Sequence, residues 1–212
     1  DYVAKLGEGG LAEVYAARDV TGPCGSVAVK VSKFCSQPEK ATTHNRHVYA
    51  MHREAQWSML VLHNRKHPQY RSDAAELFVK YLEDHTGFKM PLSPDDFIAQ
   101  QRHFEDPAFK WDKELMDPPL PRKPYVVMEF VKGTLLQEAL EGKPPLTLSD
   151  KRTIFKQCCE ALVYLQELGA IHRDFRGCNL FILRGDDDTK TPELKVIDLG
   201  FMISAEVRNA AN

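Results

Sequence analysis

The stretch from residue 171 to residue 200 constrains the chain more than any other, because it spaces three oxygen-bearing side chains around two apolar runs. Asp174 is followed five residues later by Asn179, and the apolar run Leu180–Leu183 comes next. A second apolar run precedes Asp198. If the two runs pair as strands, Asn179 and Asp198 meet at the strand ends, where their oxygens suit Mg²⁺. Asp174 is then available as a base for a hydroxyl proton, and the set indicates phosphoryl transfer.

These residues carry a resemblance to a known family. His172-Arg173-Asp174 with Asn179 is similar to the catalytic loop of the eukaryotic-type protein kinases, and Asp198-Leu199-Gly200 resembles their metal-binding Asp-Phe-Gly with Leu in the middle. The resemblance implies an α+β, protein-kinase-like two-lobed fold, with an antiparallel β-sheet N-lobe, its αC helix and the first part of a helical C-lobe. It also implies catalytic roles for Asp174 and Asn179 and metal binding by Asn179 and Asp198.

A glycine-rich segment near the N-terminus joins two alternating runs that predict strands. Gly7 and Gly9 would let backbone N–H groups approach phosphate oxygens without interference from a Cβ atom. Taken alone, such a segment is more often a hairpin turn than a nucleotide site. It resembles the Gly-x-Gly-x-x-Gly-x-Val loop of the kinases, with Ala12 in the third glycine position. The resemblance assigns Leu6, Gly7, Gly9 and Val14 to the nucleotide site.

The next strand and the helix after it supply a lysine and a glutamate. Val27-Ala28-Val29-Lys30 matches the third strand of the kinases, whose Lys holds the α- and β-phosphates. Outside this context an exposed strand lysine is the simpler interpretation. Residues from Ala41 to about Arg65 predict a helix, and Glu54 within it resembles the acidic residue that pairs with that Lys. The resemblance therefore assigns Ala28, Lys30 and Glu54 to the nucleotide site.

Two amphipathic patterns predict long helices, each with one buried stripe. In the helix from about Ala41, the expected stripe is Val48, Met51, Ala55, Met59 and Leu62. Ser58 falls at a position that is apolar in the family, where a hydroxyl packs poorly. The second helix is predicted from Lys151 to Leu168, with an N-cap at Ser149-Asp150. Its expected stripe is Ile154, Cys158, Ala161, Leu162 and Leu165.

The run Tyr125–Val131 is apolar with one acid, and it predicts a strand that leads into a hinge. The resemblance places Met128 as the gatekeeper beside the adenine. It gives the backbone groups of Glu129 and Val131 to the adenine edge, and it adds Phe181 to the lining of the same site.

The run Glu76–Leu82 predicts the fourth strand, and a proline-rich span from residue 86 to residue 124 follows it, with short helical segments around Pro94–Phe104. A tight turn normally connects these strands in the family, so the span is interpreted as an insertion. A solvated surface excursion is favoured, and a docking segment for a protein partner is the alternative. The predicted domains are an N-lobe over residues 1–131 and a partial C-lobe over residues 132–212.

Two features depart from the family. Twelve residues follow Gly200, so the resemblance implies a domain truncated after the Asp-Leu-Gly motif. We therefore expect the isolated chain to show weak or no kinase activity, and to associate or bind a protein partner through an uncovered apolar stripe on the helix 151–168. Arg176 stands where serine/threonine kinases usually have Lys, two residues after the catalytic Asp174. It keeps the positive charge for a phosphate and is assigned a catalytic role.

Charge and cysteine content exclude several classes of protein. The 28 Lys and Arg residues against 30 Asp and Glu give a net charge of −2, so no overall field favours nucleic acid or an anionic membrane. No apolar run has the length of a membrane span, and no secretory leader is visible. The 5 cysteines are odd in number and form no Cys-x-x-Cys pair, which favours a reducing, cytoplasmic location.

The sequence therefore predicts an ATP-dependent protein kinase domain that transfers the γ-phosphate to Ser or Thr hydroxyls with Mg²⁺. Its predicted catalytic residues are Lys30, Asp174, Arg176 and Asn179. The alternative is a non-catalytic kinase-like module that binds nucleotide or acts as a scaffold, since the C-lobe is incomplete. A small-molecule kinase is a third interpretation, and Arg173 in place of the Gly typical of aminoglycoside kinases counts against it.

Overall fold

A computed structural model describes residues 2–10, 12–20, 25–33, 41–64, 72–91, 93–105, 123–142, 145–183 and 191–210. The strands are β1 (Tyr2–Glu8), β2 (Ala12–Arg18), β3 (Ser26–Ser32), β4 (Tyr81–His85), β5 (Tyr125–Glu129), β6 (Thr134–Leu135), β7 (Ala170–Ile171), β8 (Leu180–Leu183), β9 (Glu193–Val196) and β10 (Ile203–Ser204). The helices are α1 (Ala41–Asn64), α2 (Ser72–Ala75), α3 (Pro94–Glu105), α4 (Leu136–Leu140), α5 (Leu148–Glu167) and α6 (Ala205–Ala210). The predicted α+β class is confirmed.

The amino-terminal sheet has five antiparallel strands in the order β1-β2-β3-β5-β4. Alternation along β3 sends Val27, Val29 and Val31 to one face, where they pack with Ala17. The same alternation leaves Lys30 on the opposite face, where it contacts Glu54 of α1. The sheet therefore carries the lysine toward the glutamate of α1.

The fourth strand begins later than predicted, at Tyr81 instead of Glu76. The preceding residues run beside β9, with a parallel bridge between Phe78 and Val196. Val79 N donates to Val196 O at 2.9 Å, and Val196 N donates to Leu77 O at 2.6 Å. The apolar run that suggested a longer strand is therefore apolar because it is buried between the two sheets.

Helix α1 is buried on more than one side, since every residue from Met51 to Ser58 is buried. The expected single stripe is wrong at Met59, which is 54% exposed, whereas Trp57 is buried. Ser58 is well accommodated, because its hydroxyl donates to Val79 O at 3.1 Å and accepts from Tyr81 N at 2.9 Å. The hydroxyl thus connects α1 to the start of β4.

Helix α3 accounts for the second buried side of α1. Phe97 is 5% exposed and meets the Trp57 ring edge-on, with ring centroids 4.8 Å apart. Tyr49 of α1 stacks on Phe104 of α3. The interpretation of the span 86–124 as a solvated excursion is therefore wrong for its first part, which is a core element. Residues 106–122 of that span lie outside the described residues.

Helix α5 begins three residues before the predicted start, because Thr147 caps it instead of Ser149. The Thr147 side chain accepts from Asp150 N, and the Asp150 carboxylate accepts from Thr147 N, which forms a capping box. Tyr164 is buried and donates to Val61 O at 2.8 Å, whereas the expected core residue Leu162 is exposed. The outer face of α5 presents the exposed residues Leu148, Phe155 and Leu162.

Across the described ranges the helices all fall short of the length and apolar character needed to cross a bilayer. Cys158, Cys159 and Cys178 are free thiols.

Candidate active site

Three elements that are distant in sequence bring a lysine and two carboxylates together. Lys30 Nζ of β3 lies 2.5 Å from Glu54 Oε1 of α1 and 3.5 Å from Asp198 Oδ1. The Tyr81 hydroxyl of β4 donates to the other oxygen of Glu54. The predicted Lys30–Glu54 contact is thus present in the structure, and Asp198 is its neighbour.

Burial dominates the electrostatics of this cluster. It raises the pKa of Glu54 to about 7, against the opposing attraction of Lys30. Burial alone would lower the pKa of Lys30, but the two carboxylates outweigh it and the pKa rises. The pKa of the Tyr81 phenol is also raised by burial, so this hydroxyl keeps its proton and remains a donor to Glu54.

The raised pKa of Glu54 predicts a pH-dependent stability. Between the ordinary value of 4.5 and about 7, the folded protein holds a proton at Glu54 that the unfolded chain has lost. This stabilising contribution is present in full below pH 4.5 and disappears as the pH rises through 7. We expect the free energy of unfolding of the wild type, minus that of Glu54→Gln, to fall over this window in urea titrations. A difference that stays constant or rises with pH would contradict the assignment.

The Asp-Leu-Gly segment is fixed by close packing against α1. Leu199 is fully buried, and Asp198 adopts a left-handed backbone with φ of 60°. A Cβ atom on Gly200 would lie 2.8 Å from Glu54 Oε1 and 3.2 Å from Ala50 O, so this position requires glycine. Burial opposes ionisation of Asp198, but Lys30 outweighs it and the pKa of this carboxyl is lowered. Asp198 is therefore anionic at neutral pH.

The loop after β7 holds Asp174 by two neighbours. Asn179 Nδ2 donates to Asp174 O at 2.9 Å and to Asp174 Oδ2 at 2.7 Å. Arg176 Nε lies 3.0 Å from Asp174 Oδ1. Ile197 N donates to Asn179 O at 2.9 Å, which joins the loop to the residue before Asp198. Three of the four predicted catalytic residues thus form one connected group, with Asp174 hydrogen-bonded to Asn179 and ion-paired with Arg176. The fourth, Lys30, lies 3.5 Å from Asp198.

Two side chains of the site offer oxygen atoms of the kind that Mg²⁺ takes. Both acceptors contacted by Asn179 face its amide nitrogen, so the orientation of this amide is determined by its partners. Its carbonyl oxygen Oδ1 is left as an acceptor, contacted by the weak donor Cys178 Sγ at 3.9 Å. Mg²⁺ is commonly held by one or two protein oxygens together with phosphate oxygens. Asn179 Oδ1 and the anionic Asp198 carboxylate supply such a pair.

The predicted glycine-loop residues lie in register with the lysine. Gly7 is the Cα partner of Val14, and Val14 is the Cα partner of Lys30. Gly9 forms the turn between β1 and β2, where its N–H donates to Ala12 O at 2.9 Å. Leu6 is exposed at the end of β1.

The predicted adenine-side residues lie on β5, the hinge and β8. Ala28 is the Cα partner of Met128. Met128 and Val131 both pack against the buried cluster that includes Met51 and Ala55 of α1. Phe181 is half-buried on β8. The structure adds a role for the Glu129 side chain, which accepts from Lys80 N and from Lys195 Nζ, both at 3.0 Å.

Three residues near the site were not found from the sequence: Arg53, Tyr81 and Glu105. Arg53 directly precedes Glu54, and its Nε donates to Gly200 O at 2.6 Å. Tyr81 lay inside the predicted fourth strand and carried no motif. Glu105 lay in the span interpreted as solvated. Each acts through a contact between distant segments, so no local pattern marks it.

Comparison with known proteins independently supports the resemblance to the protein kinases. The protein kinase domain family matches residues 113–211. Over 77 residues, 36% of its length, the chain is 32% identical to the serine/threonine-protein kinase PknB of Mycobacterium tuberculosis. It is 35% identical over 80 residues, 38% of its length, to the serine/threonine-protein kinase Pkn1 of Myxococcus xanthus. It has the same identity and coverage against the maternal embryonic leucine zipper kinase of Xenopus laevis.

The matched segments span 11% of the length of each of these relatives. The family match covers the catalytic loop and the Asp-Leu-Gly segment, which the structure brings beside Lys30 and Glu54. The predicted protein-kinase-like fold is confirmed, and the predicted resemblance to the protein kinases is supported over these residues. Residues 113–211 thus match the protein kinase domain family, and the relatives that the chain resembles here are serine/threonine-protein kinases.

Proposed function

We propose that the chain is an ATP-dependent protein kinase domain that transfers the γ-phosphate to Ser or Thr hydroxyls of a protein substrate. The observation that carries the proposal is the convergence of Lys30, Glu54 and Asp198 beside the hydrogen-bonded group of Asp174 and Asn179. The names of the relatives support the choice of Ser and Thr. Phosphoryl transfer needs positioning and charge neutralisation, which this arrangement supplies.

Each side chain has a role that its contacts permit. Lys30, oriented by Glu54, binds the α- and β-phosphates. Asn179 Oδ1 and Asp198 would hold Mg²⁺, and the bound ion would neutralise phosphate charge. Arg176 is exposed and adds positive charge where the phosphate is transferred.

Asp174 accepts the proton of the substrate hydroxyl. Its oxygen Oδ1 is in an ion pair with Arg176, and its oxygen Oδ2 accepts a hydrogen bond from Asn179. A carboxylate has about four lone-pair sites, so capacity remains for the hydroxyl proton. The two contacts orient the carboxylate and keep it in place as a base.

The remaining predicted residues line the nucleotide site in this proposal. The glycine loop approaches the phosphates with its backbone amides, and the hinge reads the adenine edge with backbone groups. The lining residues are Leu6, Gly7, Gly9, Val14, Ala28, Met128, Glu129, Val131 and Phe181.

The metal role is tested by calorimetry. We expect the wild-type chain to bind ATP more tightly with Mg²⁺ than without it, and Asp198→Ala to lose this enhancement because one of two metal ligands is gone. Asp95→Ala, an exposed carboxylate in the first turn of α3, is the control and should keep it. A folded wild type whose ATP binding is unaffected by Mg²⁺ would contradict the proposal, as would an Asp198→Ala variant that retains the enhancement.

A further inference from the structure

Glu105, the last residue of α3, connects two arginines from different parts of the chain. Its Oε1 lies 2.7 Å from Arg53 NH1 of α1 and 3.0 Å from Arg173 NH2 of the catalytic loop. Its Oε2 accepts from Arg173 NH1 at 3.3 Å. Burial opposes ionisation of Glu105, but the two guanidinium groups outweigh it and lower the pKa of this carboxyl. One carboxylate thus pairs with two cations.

Both arginines also donate hydrogen bonds to the segment that follows Asp198. Arg53 Nε donates to Gly200 O at 2.6 Å, and Arg173 Nε donates to Phe201 O. Arg53 directly precedes Glu54, and Arg173 directly precedes Asp174. The network therefore joins α1, the catalytic loop and the segment after Asp198 through a single side chain.

Helix α3 holds Glu105 firmly enough for this purpose. Besides the packing of Phe97 on Trp57, Gln101 Oε1 accepts from Ser204 N of β10 at 2.9 Å. Gln101 is itself buried. The helix is thus fixed both to α1 and to the segment that follows Gly200.

The alternative is that the Glu105 contacts are exposed ion pairs that contribute little to stability. A second ion pair of α3 shows what such an exposed pair looks like. Arg102 pairs with Glu206 of α6, and these side chains are 50% and 64% exposed. Arg53, in contrast, is 9% exposed, and its partner Glu105 is 30% exposed. Loss of a partner leaves a buried charge uncompensated, which is far more disruptive than loss of an exposed pair.

We propose that Glu105 is a positioning residue that fixes the catalytic loop and the Asp-Leu-Gly segment against α1. It supplies from within the chain the anionic group that two converging arginines require. The inference rests on the proposed phosphotransfer for its functional meaning, since the two segments that it fixes carry Asp174 and Asp198. Its structural consequence can be measured without nucleotide.

Amide hydrogen exchange of the whole chain, without nucleotide, tests the inference. In Glu105→Gln, which keeps the shape and removes the charge, we expect exchange at residues 172–180 and 198–204 to rise by roughly tenfold or more, the factor expected for one lost charge-assisted hydrogen bond. Exchange in the buried centre of α5, at residues 161–165, should stay at the wild-type rate because global unfolding is not involved. Arg102→Gln is the matched control and should leave both segments unchanged.

Two results would overturn the inference: unchanged exchange in both segments of Glu105→Gln, or an equal rise in Arg102→Gln. Calorimetry with Mg·ATP on the same wild-type sample separates this inference from the proposed function. A wild type that does not bind Mg·ATP refutes the proposed function, while the exchange pattern still decides the role of Glu105.

Discussion

Replacing Asp174 with Asn should lower the rate of phosphotransfer by about 10² to 10⁴-fold, while the affinity for Mg·ATP stays close to that of the wild type. The amide has nearly the shape of the carboxylate, and its oxygen can still lie beside Arg176. It cannot take up the proton of the substrate hydroxyl. The measurements are the steady-state rate of phosphate transfer to a protein substrate by the natural protein, and the affinity for Mg·ATP by calorimetry.

Asp95→Asn on the exposed first turn of α3 serves as the control for a lost carboxylate, and its transfer rate should match the wild type. A loss of less than about tenfold in Asp174→Asn would rule out Asp174 as the base. A large loss of Mg·ATP affinity in the same variant would place Asp174 in nucleotide binding instead.

Removing the Phe97 side chain should lower the free energy of unfolding by about 3 to 5 kcal/mol. Phe97 is 5% exposed and lies against Trp57, so its deletion leaves a cavity between α1 and α3 that the rigid helices cannot fill. Urea denaturation of Phe97→Ala, followed by circular dichroism, measures the change.

Phe155→Ala is the matched control, because Phe155 is the same residue type on a helix but is 71% exposed. Its unfolding free energy should stay within about 0.5 kcal/mol of the wild type. Equal effects of the two substitutions would show that α3 does not belong to the core and is a surface excursion after all.

The parts of the site that the sequence predicted are those carried by residues close together in the chain. Asp174 and Asn179 lie on one loop. Asn179 precedes β8 and Asp198 follows β9, and the two apolar runs indicated that these strands pair. Lys30 and Glu54 were assigned because the family resemblance supplied a contact that no local pattern contains. The structure then brings Lys30 and Glu54 to 2.5 Å.

The parts that the sequence missed depend on which element covers which face. Hydrophobic periodicity in α1 predicted one buried stripe, because the pattern alone does not show that α3 lies on the second side. Leu77 and Phe78 were assigned to a strand since β-strands and buried bridging segments share the same composition. Glu105 carried no signal, because a glutamate in a proline-rich span is normally a solvated charge.

The segment from Leu77 to Val79 has a consequence for motion between the two sheets. It is bonded to Val196 of β9, while the hinge after β5 forms the second chain connection between the same two layers. The Glu129 side chain strengthens the junction by binding Lys80 N and Lys195 Nζ. Together with the packing of Gly200 against α1, these connections limit how far Lys30 and Asp198 can move apart.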